Sequence, residues 1–324
     1  MLVSVLLFAV GLVLLIKGGD WFVDGAVGIA KRFNLPDIVV GATVVSIGTT
    51  LPEVMVSTTG ALAGSGAMAY GNAIGSIICN TALIAAISIT CNPGPVNVKS
   101  MKTPVIFFFC SAAMYCLAAY LLGTFPRWMG FVMLTVFVIY MVMTVRNGMK
   151  NPDAGAEEEE EGGKPKKLWQ ELLLLVIGAA VIAVGADLLV DHGQIIAIEL
   201  GVPETVVALL FVALGTSLPE LVTTITSLKK GRASLGVGNV IGANIFNLVL
   251  VSGVAVSLAP FDVPVENTLL DTGLNLSLVF DIPVMLGVMS LMIFPALLGK
   301  KLSRWQGIAL LCIYAAFCVC QFML

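Results

Sequence analysis

Residues 41–80 read GATVVSIGTTLPEVMVSTTGALAGSGAMAYGNAIGSIICN, and residues 208–247 read ALLFVALGTSLPELVTTITSLKKGRASLGVGNVIGANIFN. The two stretches align without a gap at an offset of 167 residues, which places Glu53 on Glu220. Each glutamate follows a proline inside an apolar run long enough to cross a bilayer. A carboxylate at that depth is costly and by default marks a functional site. The repeat therefore predicts one cation site near the middle of a membrane, built from both halves of the chain.

The composition is that of a membrane protein. Of the 324 residues, 58% are hydrophobic and 11% are charged, and the mean hydropathy is +1.02. Soluble domains carry about 25% charged residues, so a soluble protein is excluded. There is no basic stripe that would indicate a nucleic-acid partner. The seven cysteines form no CxxC pair and are interpreted as small apolar residues, and no cofactor is predicted.

Ten apolar stretches predict ten membrane helices, since a spanning helix needs roughly 20 apolar residues. The first stretch lacks a positive segment and a cleavage site, so it is interpreted as a membrane helix rather than a signal peptide. We expect helices at about Leu2–Ala30, Ile38–Ala63, Ala69–Thr90, Thr103–Leu122, Trp128–Arg146, Leu168–Leu189, Thr205–Leu228, Ser234–Leu258, from an Asp281 cap onwards, and Trp305–Phe322.

The repeat extends beyond the two central stretches. Asp20–Asp24 matches Asp187–Asp191 at the same offset of 167, and Arg127–Gly130 matches Arg304–Gly307 at an offset of 177. We expect a five-helix repeat at residues 1–146, an acidic cytoplasmic linker at 147–167 that contains Glu157–Glu161, and a second five-helix repeat at 168–324. Because five is odd, the halves must cross in opposite directions. The predicted fold is an all-α polytopic membrane protein of two inverted repeats.

The charge distribution predicts the orientation. With the N-terminus outside, Arg127 is the one cation of the outer loops, whereas the inner loops carry fifteen. Positive charge collects on the cytoplasmic side, so we expect both termini outside in a cell (inner) membrane. The inner cations are Lys31, Arg32, Lys99, Lys102, Arg146, Lys150, Lys164, Lys166, Lys167, Lys229, Lys230, Arg232, Lys300, Lys301 and Arg304.

Two prolines predict breaks beside the glutamates. Pro52 and Pro219 have no N–H, so the carbonyls of Gly48 and Gly215 lose their helical partners. The broken ends present carbonyl oxygens and the negative end of a helix dipole. Hard cations bind such oxygens together with carboxylates, hydroxyls and amides.

A spacing of four residues places further oxygen ligands beside the glutamates. The pairs are Thr49 with Glu53, Ser76 with Asn80, and Thr216 with Glu220, while Ala243 precedes Asn247. Two glutamates match one divalent cation or about two monovalent ones. Without a cluster of cysteine and histidine, zinc and copper are disfavoured.

The motifs resemble a known family. The chain is similar to the calcium/cation antiporters in their paired α-repeats, and most of all to the prokaryotic sodium/calcium exchangers. The motifs that carry the resemblance are GTTLPE with GNAIGSIICN in the first half and GTSLPE with GNVIGANIFN in the second. The resemblance covers essentially the whole membrane part. It implies ten helices and exchange of Ca²⁺ for Na⁺ by alternating access, with helices 1 and 6 sliding across a core of helices 2, 3, 7 and 8.

The resemblance also implies roles for single residues. Calcium would be bound by the Glu53 and Glu220 carboxylates with carbonyls of Thr49 and Thr216. Sodium sites would add ligands from other residues of helices 2, 3, 7 and 8. These are Thr50, Ser76, Ser217, the backbone around Ser46 and Ala213, and Asn80 and Asn247 near the centre. Two departures from the family stand out. Ala243 stands where the family often has a hydroxyl, and Asn247 stands where some members, including potassium-dependent ones, have Asp.

Other functions stay open from the sequence. A proton-coupled Ca²⁺ antiporter of the same superfamily is the nearest alternative, although relatives of that kind tend to carry an acid after the GN motif, where this chain has none. A cation channel would also use membrane carboxylates, but an inverted repeat within one chain favours alternating access. An intramembrane hydrolase lacks its catalytic motifs here, so no enzyme is predicted. The oligomeric state is not readable.

Overall fold

A computed structural model describes residues 2–150, 167–200, 215–264 and 275–323. Three predicted features lie outside these ranges: most of the acidic linker, the first part of helix 7 with Ala213, and the middle of the loop before helix 9. Within the described ranges the fold is helical, apart from four strands of two residues each.

The described ranges contain eight helices long and apolar enough to cross a membrane, and a bent pair that would make a ninth crossing. Of the predicted helix 7, the segment Leu218–Lys229 is described. The helices, named by their predicted numbers, are helix 1 Leu2–Phe33, helix 2 Asp37–Thr49 with Leu51–Leu62, helix 3 Gly66–Cys91, helix 4 Val98–Leu122, helix 5 Arg127–Lys150, helix 6 Leu168–Glu199, helix 8 Ala233–Leu258, helix 9 Ser277–Gly299 and helix 10 Arg304–Met323.

Two predicted boundaries were wrong. Helix 5 continues to Lys150, because no breaker precedes Pro152 and the buried Gly148 packs on helix 2, so the predicted linker begins too early. Asp281 is not a helix cap. Helix 9 begins a turn earlier, where Asn275 Oδ1 accepts the backbone N–H of Ser277 at 3.0 Å, and Asp281 instead accepts a hydrogen bond from Gln321 of helix 10 at 2.6 Å.

Helices 3 and 8 form the centre of the bundle. In their apolar windows 72% and 83% of the residues are buried, compared with 28% in helix 1 and 22% in helix 6. The main hydrophobic core joins them to helices 4, 5 and 9 through residues such as Phe108, Tyr140 and Phe246. The two helices that carry the GN motifs are thus shielded from lipid on most sides.

Helices 1 and 6 pack against each other through glycines. A Cβ on Gly11 would lie 2.9 Å from the carbonyl oxygen of Gly185, and a Cβ on Gly185 would lie 2.9 Å from that of Gly11. Gly18 and Gly178 make similar approaches to Ile182 and Phe22. Small residues allow membrane helices to approach backbone to backbone, so the two long helices pack closely along this glycine seam.

Two short antiparallel ribbons join the halves at the ends of helix 4. β1 (Gly94–Pro95) pairs with β4 (Lys301–Leu302), and β2 (Thr124–Phe125) pairs with β3 (Phe261–Asp262). β3 follows β1 by 167 residues and β4 follows β2 by 177, the two offsets of the sequence repeat. Helix 4, which is 25 residues long, or about 37 Å, lies between β1 and β2. Equivalent strands of the repeat therefore lie at opposite ends of this helix.

Candidate functional site

The LPE motifs begin new helical segments, as predicted. Helix 2 bends by 46° between Thr49 and Leu51, and Pro52 lies in the first turn of the second segment. In the second half the segment Leu218–Lys229 starts in the same way, with Pro219 in its first turn. A proline is tolerated in a first turn because the N–H that it lacks has no helical partner there. Glu53 and Glu220 therefore each lie in the first turn of a helix, where the dipole favours an anion.

Both glutamates are completely buried. Glu53 and Glu220 have 0% of their surface exposed. Among the described residues, neither carboxylate oxygen of Glu53 has a hydrogen-bond partner, and the same holds for Oε2 of Glu220. Removing an ion of this size from water costs several kcal/mol even after relaxation. Such carboxylates need positive charge, and no Lys or Arg of the described chain forms an ion pair with either one.

The two halves meet at Thr50. Its hydroxyl donates to Oε1 of Glu220 at 3.5 Å, which links the break in helix 2 to the glutamate of helix 7. Thr49, Thr50 and Ser217 are buried as well, with at most 1% exposed surface. The predicted hydroxyl ligands thus lie in the same buried layer as the carboxylates.

Two asparagines that were not among the predicted ligands hold the layer together. Thr49 Oγ1 donates to Asn239 Oδ1 at 3.1 Å, and Thr216 Oγ1 donates to Asn72 Oδ1 at 3.4 Å. These bonds are equivalent under the repeat, since Thr49 aligns with Thr216 and Asn72 with Asn239. Asn72 Nδ2 also donates to the backbone oxygen of Glu53 at 3.3 Å. Amides inside a membrane protein usually have hydrogen-bond partners, so the paired asparagines of the GN motifs were the signal for this role.

The predicted ligands of helices 3 and 8 lie at helical irregularities. Asn80 begins a π-helical turn, Asn80–Ala85, and Asn247 begins another, Asn247–Val251. Both side chains are fully buried, and their amide atoms have no hydrogen-bond partner in the described part of the chain. Single π turns inside α-helices are frequent at functional sites. Ser76, one turn earlier in helix 3, is also buried, with 4% exposed surface.

The side chain of Ser46 has a packing role that the sequence did not predict. Its hydroxyl donates to the carbonyl oxygens of Gly41 at 2.8 Å and Asn239 at 2.9 Å, so its side chain fastens helix 2 to helix 8. The close approach depends on glycine: a Cβ on Gly242 would lie 2.7 Å from the backbone of Ala42. Ala213, its counterpart in the repeat, lies outside the described residues.

Three ion pairs involve helices 1, 2 and 6 and the turn between helices 7 and 8. Arg232, just before helix 8, binds Asp37 at the start of helix 2, with an N–O distance of 3.1 Å. Arg32 of helix 1 binds Glu171 of helix 6 at 2.8 Å, and Lys230 binds Asp24 of helix 1 at 2.5 Å. All three pairs connect the first half of the chain to the second.

A model of the family described as sodium/calcium exchanger protein matches residues 3–146 and 171–323, which is nearly the whole described chain. The chain belongs to the sodium/calcium exchanger family. It is therefore a transporter rather than an enzyme, and the ions of this family are its transported substrates rather than cofactors.

Relatives match over their full length. The sodium/calcium exchanger MaX1 of Methanosarcina acetivorans is 30% identical over 355 residues, with 99% of each chain covered. An uncharacterized membrane protein of Methanocaldococcus jannaschii is 34% identical over 309 residues, covering 95% of this chain and 94% of the relative. A solved structure of the sodium-calcium exchanger NCX_Mj, soaked with Na⁺ and Sr²⁺, superposes with a TM-score of 0.79 at 32% identity, covering 97% of both chains. The multi-pass helical fold of the exchangers is thus the fold of this chain.

Proposed function

We propose that the protein exchanges Ca²⁺ for Na⁺ across the membrane. The observation that carries the proposal is the pair of fully buried glutamates, Glu53 and Glu220. Among the described residues, three of their four carboxylate oxygens lack a hydrogen-bond partner, and the fourth, Oε1 of Glu220, accepts from Thr50. Two carboxylates balance the charge of one divalent cation. Carboxylate, hydroxyl and amide oxygens are the ligands that hard cations such as Ca²⁺ and Na⁺ prefer.

For calcium, the proposed ligands are the carboxylates of Glu53 and Glu220 with the backbone carbonyls of Thr49 and Thr216. The asparagines would not bind the ion themselves but would hold the ligand residues in place. Asn239 accepts a hydrogen bond from the hydroxyl of Thr49, and Asn72 accepts one from the hydroxyl of Thr216. These bonds fix the orientation of each threonine. Partners of this kind orient ligands and tune a metal site.

For sodium, the proposed ligands lie around the same carboxylates. Na⁺ and Ca²⁺ are of similar size, and competition for one negatively charged site would couple their transport. They are Thr50, Ser217, Ser76, Asn80, Asn247, and the backbone around Ser46 and Ala213. Ala243 offers no hydroxyl opposite Ser76, so we propose that the sodium ion on that side relies on carbonyl and amide oxygens.

We propose that transport proceeds by alternating access in two inverted repeats of five helices each, ten in all. The ribbons support the inversion, since β1 and its repeat equivalent β3 lie at opposite ends of helix 4. The glycine seam between helices 1 and 6 supports movement of these two helices as one unit across the core, because their backbones pack directly against each other. An inverted repeat lets one set of contacts open first at one face and then at the other.

We propose that both termini lie outside an inner cell membrane. Three cations, Lys300, Lys301 and Arg304, lie in or next to β4 of the β1–β4 ribbon. At the other end of helix 4, Arg127 is the one cation next to a strand of the β2–β3 ribbon. The ribbon with more cations belongs on the cytoplasmic side.

Transport into proteoliposomes tests the exchange. Vesicles loaded with Na⁺ and diluted into choline medium should take up radioactive calcium, and vesicles without Na⁺ that carry only a pH gradient should not. Uptake driven by the pH gradient alone would assign the protein to proton-coupled exchange. Uptake that needs neither gradient and follows only the calcium concentration would indicate a channel.

A further inference from the structure

A basic cavity lies at one end of the bundle. It has a volume of 510 Å³ and lies between the turn after helix 3, residues 93–95, and the turn between helices 9 and 10, residues 299–304. The β1–β4 ribbon forms its wall. None of the lining residues is acidic, and three of them are cations.

The three cations are available for a ligand. Lys300, Lys301 and Arg304 form no ion pair with any carboxylate of the described chain, and all three side chains are exposed. Arg304 Nε donates to the carbonyl oxygen of Thr90 at 3.0 Å. This bond holds the guanidinium at the edge of the cavity and leaves its terminal nitrogens free to donate.

The backbone of Lys300 carries a second, independent sign of function. Its φ is +51°, in the left-handed region that glycine adopts without penalty. Its equivalent in the first repeat is Gly123, with φ +66°. The fold thus requires a left-handed backbone at both positions. The first half has glycine there, whereas the second half has a lysine. Glycine would satisfy the backbone at both positions, so the turn alone does not explain a lysine at position 300.

The cavity lies at the level of lipid headgroups. Gly299 ends helix 9 and Arg304 begins helix 10, and both helices are long and apolar enough to span the membrane. The neighbouring side chains face outward: Leu298 is 87% exposed and Trp305 is 55% exposed. Tryptophan is enriched at the membrane interface, which places the cations beside the phosphates of the bilayer.

We propose that this cavity, the Lys300 pocket, binds the phosphate of an anionic phospholipid from the leaflet on its side. Arg304 provides the paired N–H groups that bind phosphate oxygens, and Lys300 and Lys301 add charge that a zwitterionic headgroup does not balance. Basic pockets between membrane helices select anionic lipids for the same reason. At the other end of the bundle the equivalents of the two lysines are Gly123 and Thr124, so the site is confined to one leaflet.

Native mass spectrometry of the purified full chain tests the site, with phosphatidylglycerol and phosphatidylcholine as separate probes. The variant is Lys300→Gly with Lys301→Gln, in which glycine suits the left-handed backbone and preserves the fold. The control, Lys31→Gln with Lys229→Gln, removes two exposed lysines elsewhere. Phosphatidylglycerol should bind wild type and control equally, and the variant about 25-fold more weakly, roughly fivefold for each cation. Transport is not needed for this measurement, so its result is independent of the proposed exchange.

Three results would overturn the assignment. Equal binding of phosphatidylglycerol to variant and wild type would place the lipid elsewhere. Displacement of the lipid by inorganic phosphate at the same concentration would identify the pocket as a site for free anions. Lipid binding only after Glu157–Glu161 are changed to glutamine would assign the pocket to that acidic segment of the chain.

Discussion

Thr49 Oγ1 lies 3.1 Å from Asn239 Oδ1, and the repeat-equivalent atoms of Thr216 and Asn72 lie 3.4 Å apart. Each bond joins a glutamate-bearing helix of one half to a GN helix of the other half. The cation site proposed here is thus fastened twice by the same interaction. Neither half of the chain contains both partners of either bond, so the site requires the two repeats to be assembled together.

Replacing these asparagines should weaken calcium binding without removing the carboxylates. We expect Asn239→Ala and Asn72→Ala each to lower calcium affinity about 10- to 100-fold, the usual effect of losing a residue that orients a ligand. Titration of purified protein with Ca²⁺ measures this. Asn92→Ala, at an exposed position at the end of helix 3, is the control and should bind as wild type does. Unchanged affinity in both test variants would remove the asparagines from the site.

The buried ion pair at the start of helix 2 should contribute to stability. Asp37 and Arg232 have side chains that are only 5% and 14% exposed, so Asp37→Asn leaves a mostly buried guanidinium without its partner. We expect a loss of about 3 kcal/mol, measured by unfolding in detergent, and a smaller loss in the double variant Asp37→Asn with Arg232→Met. The matched pair is Lys230–Asp24, with 28% and 45% exposure, where Asp24→Asn should cost less than about 1 kcal/mol. Equal losses in the two single variants would contradict this ranking.

The glycine seam should not tolerate a larger side chain. In Gly185→Val the new atoms would overlap the backbone of Gly11, so helices 1 and 6 must separate. We expect a lower melting temperature and little transport. Gly287→Val in helix 9 makes the same change at a position with no described atom within 4 Å of the Cβ, and it should remain folded and active. If Gly185→Val melts and transports as wild type does, helices 1 and 6 have room for a larger side chain at this position and the prediction is wrong.

The sequence predicted the features that depend on strong local signals. The proline in each LPE motif predicted a break, and helix 2 bends there. The family was likewise evident from the paired motifs. The cost of burying charge singled out Glu53 and Glu220, and both are buried, while the identity of the ions that they bind stays a prediction.

Features that depend on contacts between distant segments were harder to predict. Asp281 looked like a cap from its neighbours alone, yet Asn275 caps the helix and Asp281 bonds to Gln321, 40 residues away. Asn72 and Asn239 were visible in the alignment, but their partners became clear only when helices 2 and 8, and 3 and 7, were brought together. The positions of Ala213 and of the acidic linker remain sequence predictions.

Calcium binding to the two glutamates is the most direct test of the central claim. Isothermal titration of purified wild type, Glu53→Gln, Glu220→Gln and, as a control, Asp262→Asn at an exposed position of β3 would measure it. We expect one high-affinity Ca²⁺ per chain in wild type and control, competed by Na⁺, and no measurable binding in either glutamate variant, although both remain folded. Calcium binding of wild-type affinity in either glutamate variant would contradict a site shared by the two halves.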